Sequence, residues 1–124
     1  MEKILKKMEW VLRIAIAGEF LGHGIFALQG KEAWIGWFEK LAGIGPELAS
    51  QILPLIGAMD VAVAIIVLVK PFRVVLLWAV AWGFWTALLR PLVGEPVWDF
   101  VERSANWGAP LALFFLYQYK KKNV

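Results

Sequence analysis

The sequence predicts an all-α integral membrane protein: a four-helix bundle with one extra amphipathic helix at the interface between spans 1 and 2, all in a single domain over residues 1–124. Three observations carry this expectation. First, 60% of the 124 residues are hydrophobic, more than a water-soluble domain of this length could cover with polar surface. Second, four apolar runs stand out, at about 8–29, 48–69, 72–91 and 97–119, and a hydrocarbon layer of about 30 Å needs about 20 helical residues. Third, the basic residues are distributed unevenly. Lys3, Lys6, Lys7, Lys70, Arg73, Lys120, Lys121 and Lys122 fall at the N-terminus, the second connection and the C-terminus. The other two connections carry Lys31, Lys40, Arg90 and Arg103 against Glu32, Glu39, Glu47, Glu95, Asp99 and Glu102. This is the positive-inside pattern, which places both termini in the cytoplasm.

The first run is expected to remain as a span rather than be removed as a signal peptide. It contains Arg13, Glu19 and His23, and it ends in FALQG without a small-x-small cleavage site. After it, Trp34, Trp37, Phe38 and Leu41 recur at i, i+3, i+4 and i+7, with Glu32, Gly36, Glu39 and Lys40 opposite. That spacing predicts an amphipathic helix at the outer interface, either an aromatic anchor or a lid over something held between the spans. Gly43 and Gly45 end it, and Pro46 suits the start of the second span.

The connection VKPFRV allows only an antiparallel hairpin between spans two and three. Span three places Trp78, Trp82, Trp85 and Leu89 on one stripe beside the small residues Ala79, Gly83 and Thr86. Small residues let helices approach closely, while the tryptophans fill space, face lipid or box a flat cofactor. RPLVGEP then breaks the chain. The last run is purely apolar only from Trp107 to Tyr119, so a helix begun near Pro96 is needed to span. On it Asp99, Glu102 and Asn106 share a face, Arg103 can pair with Asp99, and Pro110 cannot donate to the Asn106 carbonyl and should kink the helix.

The net charge of +3 does not indicate nucleic acid, because the lysines flank spans rather than line a face. With no cysteine, disulfides, thiolate metal sites and dithiol redox chemistry are excluded. No nucleotide loop, nucleophile elbow, hydrolase triad or internal repeat is present. The expected partners are the lipid bilayer and other membrane or redox subunits, with self-association open.

Polar residues inside the spans are the functional candidates, since ionisable groups at that depth cost several kcal/mol unless they face the interior and pair. Counting from the span ends puts Glu19 and Asp60 near mid-membrane, with His23 one turn further outward. Arg90, Glu102 and Asn106 lie further out still, and Arg13 lies toward the cytoplasm. The segment GEFLGHG, which holds Glu19 and His23, admits three readings: a polar network that fixes helix register; a quinone or small-molecule site in which Glu19 or Asp60 exchanges protons and His23 donates a hydrogen bond; or a metal site. The last is the weakest, for want of a second Glu-x-x-His half. No metal is therefore assigned.

These features together resemble the DoxX-like family of small four-helix membrane proteins, which also includes DoxD-type subunits. The matching stretches are LRIAIAGEFLGHGIFAL, the tryptophan-rich segment after it, LIGAMDVAVAIIVL, and RPLVGEPVWDFVERSANWGAPLALFF, nearly the whole chain. Relatives often carry glutamate in the second span where this chain has Asp60. The resemblance implies a subunit of a membrane oxidoreductase assembly, with quinone as the cofactor class to test, or a membrane assembly chaperone. It directs attention to Arg13, Glu19, His23, Asp60 and Arg90.

Overall fold

In the computed structural model, which describes residues 1–122, every regular element is helical. The elements are α1 Glu2–Leu28, α2 Glu32–Ala42, α3 Pro46–Val69, α4 Arg73–Leu92, α5 Val97–Glu102 and α6 Ala105–Lys122. Three of them, α1, α3 and α4, are long and apolar enough to cross a membrane. At about 1.5 Å per residue, the 24 residues of α3 reach about 36 Å.

The fourth apolar run departs from expectation. A single helix over 97–119 is replaced by α5, a turn at Arg103 and Ser104, and α6. Local polar groups satisfy the backbone there in place of the helical ladder. Ser104 Oγ donates to the Val101 carbonyl at 2.7 Å, and an Arg103 guanidinium nitrogen donates to the Asp99 carbonyl at 3.1 Å. Arg103 thus meets the backbone of Asp99, while its ion pair, at 3.0 Å, is with Glu102. Pro110 is accommodated inside α6.

Glycines close two of the turns. Gly43 adopts φ 68° after α2, with its N–H on the Glu39 carbonyl and that of Ile44 on the Phe38 carbonyl, the paired bonds of a left-handed helix stop. Gly94 takes φ 98° after α4, where a side chain would be strained.

The core is shared by four helices. Ile16 and Phe20 of α1, Val63 and Val67 of α3, Leu76 and Ala79 of α4, and Leu113 and Phe114 of α6 form one cluster. Glycines decide how close the helices come. A Cβ on Gly57 would lie 2.7 Å from the Gly24 carbonyl oxygen, so α1 and α3 touch backbone to backbone. A Cβ on Gly83 would strike the Asn106 carbonyl oxygen of α6. That is the carbonyl freed by Pro110, and the Gly83 Cα–H faces it.

Large apolar side chains also stand on the outer surface. Leu55, Ile65, Val69 and Val74 are each more than half exposed, the pattern of helices whose outer faces meet lipid rather than water.

Candidate functional site

Polar side chains gather at two places. At the end that carries both termini, Glu9 and Arg13 are buried one turn apart on α1. Arg13 Nε donates to the Val67 carbonyl at 2.9 Å, and a second guanidinium nitrogen donates to the Leu68 carbonyl. These belong to the last turn of α3, whose carbonyls have no partner within the helix, so Arg13 caps it. Glu9 accepts from Arg13 at 3.2 Å, from the Tyr117 hydroxyl at 2.6 Å and from Lys120 at 2.7 Å. The Trp10 ring lies 4.0 Å from the Arg13 guanidinium carbon. One carboxylate thus ties α1 to α6, and one guanidinium ties α1 to α3. Arg13 therefore stands apart from the other candidate residues. Glu9, Tyr117 and Lys120 carry no motif that would have selected them, because their partners lie up to 111 positions away.

The second cluster surrounds a cavity of about 280 Å³ bounded by α2, α3 and α4. From α2 come Trp34, Trp37, Phe38 and Leu41, the apolar stripe of the amphipathic helix; α4 supplies Trp82, Trp85, Leu89 and Arg90; α3 supplies Asp60. The 3.6-residue period explains the arrangement, since one face of α2 and one face of α4 turn toward the same space.

Asp60 is 4% exposed, with the Trp82 indole beside its carboxyl and Trp82 stacked on Trp78 at 5.5 Å. Glu19 lies within electrostatic range of Asp60, and no lysine or arginine is in salt-bridge contact with either carboxyl among the described residues. No side-chain hydrogen bond joins Glu19 to His23 or to an arginine among the described residues. Glu19 and His23 share a face of α1, but His23 turns to α2, with its ring 5.7 Å from that of Trp34. Arg90, Arg103 and Lys31 lie within electrostatic range of His23. Arg90 is buried, and its guanidinium stands 4.6 Å over the Trp37 ring.

Four buried side-chain polar atoms among the described residues lack a hydrogen-bond partner: Trp34 Nε1, Asp60 Oδ1, Arg90 Nε and Trp107 Nε1. The first three belong to residues that line this one cavity. Buried polar groups are ordinarily paired, and each one left alone costs about 1–3 kcal/mol. Two unpaired donors and one unpaired acceptor thus belong to residues that border an aromatic space large enough for a small ring. Of the remaining candidates, Asn106 is half-buried and packs by its backbone on Gly83, while Glu102 is exposed in its pair with Arg103. Neither lines the cavity, and Glu19 and His23 also stand outside its lining. Among the described residues, no three of His, Cys, Asp and Glu converge as metal ligands.

Fold and site together define a helical chain, with three helices able to cross a membrane, around an aromatic cavity that holds buried charge. Comparison with protein-family models, with curated proteins and with solved structures finds no match.

Proposed function

We propose that this protein is an integral membrane subunit of DoxX-like type with four spans, α1, α3, α4 and the α5–α6 pair, and both termini in the cytoplasm. In this reading α2 lies at the outer interface as the roof of a pocket for a small planar molecule of the quinone class. The observation that carries it is that three residues lining one aromatic cavity, Trp34, Asp60 and Arg90, each have a buried polar atom without a partner. A ring with an oxygen at each end is complementary to them: Arg90 and Trp34 donate to a carbonyl, Asp60 accepts from a hydroxyl, and the tryptophans stack on the ring faces. Glu19 and Asp60 hold and pass the protons that accompany reduction, and a redox partner subunit supplies the electrons.

The test is titration of the detergent-purified protein with a short-chain ubiquinone analogue, read as quenching of tryptophan fluorescence. Saturable quenching is expected. Asp60→Asn should weaken it at least about tenfold, the loss of one hydrogen bond to a charged group. Absence of quenching in a protein with intact helical circular dichroism rejects the site.

The Glu9–Arg13 network favours a second reading, a scaffold or assembly protein, because it is a case in this same chain of buried charge that fixes helix packing. Glu19→Gln separates the two. A scaffold tolerates the neutral isostere with cellular function unchanged, whereas a proton-handling site loses activity while the protein stays folded.

A further inference from the structure

A second cavity, of about 590 Å³, lies at the opposite end of the molecule, between the α3–α4 connection and the end of α6. Its floor is apolar: Leu76 and Phe114 are core residues, and the ring of Tyr117 joins them while its hydroxyl is held by Glu9. Its rim is cationic, with Arg73, Lys121 and Lys122 among the lining residues and no acidic side chain with them. None of the three is ion-paired among the described residues, and the nearest buried carboxylate, Glu9, is already shared by Arg13 and Lys120. The Arg73 guanidinium lies 5.8 Å from the Phe114 ring centroid, so the cation stands at the junction of rim and floor.

We propose that this cleft binds the phosphate headgroup of an anionic phospholipid, with the upper part of an acyl chain against the Tyr117 ring and the exposed Phe72 and Val74 beside it. Charge complementarity selects the occupant. Three cations without an ion pair among the described residues favour a net negative headgroup and repel the ammonium of a zwitterionic one, and a guanidinium fork matches two phosphate oxygens. The apolar floor, with Phe72 and Val74 exposed on the neighbouring chain, favours a phosphate that carries lipid chains over a free phosphate ion. The site requires that this end of the helices meet the membrane interface. It does not require a ligand in the aromatic cavity, and each can fail without the other.

Native mass spectrometry of the full chain in mild detergent tests the proposal, with phosphatidylglycerol, phosphatidylcholine or inorganic phosphate added in turn. Bound phosphatidylglycerol should exceed bound phosphatidylcholine at least about tenfold. The triple variant Arg73→Gln, Lys121→Gln, Lys122→Gln alters exposed side chains and should abolish that preference. The triple variant Lys3→Gln, Lys6→Gln, Lys7→Gln removes the same charge elsewhere and should retain it. Equal binding of the two lipids, equal loss in both triple variants, or displacement of phosphatidylglycerol by inorganic phosphate would overturn the proposal.

Discussion

Arg90 of α4 and Trp37 of α2 are stacked cation on ring, 4.6 Å from guanidinium carbon to ring centroid, and this contact fastens the roof of the aromatic cavity to its wall. Further contacts hold the same helix: His23 and Phe26 of α1 against Trp34, Lys40 Nζ donating to the Val93 carbonyl at 3.2 Å, and packing on α3. None of the residues of α2 is buried, so the helix is held by fewer contacts than the core helices.

Weakening the stack should therefore loosen α2 before it loosens the rest. Trp37→Leu keeps an apolar side chain but removes the ring, forfeiting an interaction worth about 0.5–2 kcal/mol. Amide hydrogen exchange in detergent should quicken over Glu32–Ala42 while the core of α3 is unchanged. Uniform acceleration across both would show that α2 is not an independently opening element.

Helix contact makes a prediction that separates glycines of similar appearance. Gly57→Ala must displace the backbone of α1, and Gly83→Ala the Asn106 carbonyl, whereas Gly18 and Gly22 have nothing within 4 Å of a new Cβ. Each of the first two should lower stability by about 1–3 kcal/mol. Gly18→Ala and Gly22→Ala should be neutral or gain up to about 1 kcal/mol from helix propensity. Thermal unfolding in detergent is the measurement, and equal effects at all four positions would refute the close approaches.

The Glu9–Arg13 network should behave as a structural unit. Arg13→Ala removes one of three donors from Glu9, which keeps Tyr117 and Lys120, and uncaps two carbonyls of α3, each group left without its partner costing about 1–3 kcal/mol. Tyr117→Phe removes one bond of several and should cost only about 1 kcal/mol. Arg13→Lys should recover part of the loss at most, since one ammonium cannot reproduce the guanidinium fork to Glu9 and the α3 carbonyls.

Topology can be read directly, because the chain contains no cysteine. Single cysteines at Glu39 and at Lys121 should react with a membrane-impermeant maleimide from opposite sides of the cell membrane, Lys121 from the cytoplasmic side. Labelling from the same side would exclude an even number of spans with both termini inside.

Legible in the sequence were the helical class, the bounds of α3 and α4 to within two residues, the end of α1 though not its start at Glu2, and the amphipathic face of α2. All of these depend on spacing along the chain, and a 3.6-residue period is written in consecutive residues. The sequence also marked Asp60, Arg90 and the α2 tryptophans, because charge and indole in an oily context are conspicuous one residue at a time. The last run breaks at Ser104, where competition among local polar groups outweighed an apolar average. The remainder depends on long-range contacts. The tertiary structure sent Arg13 to the carbonyls of Val67 and Leu68 and gave Glu9 to Tyr117 and Lys120, leaving Asp60, Arg90 and Trp34 with unpaired atoms around one cavity. Pairing of that kind joins residues tens of positions apart. It is fixed by which glycines let two backbones meet and by which buried donor then finds an acceptor within 3 Å or so, quantities that no local period contains.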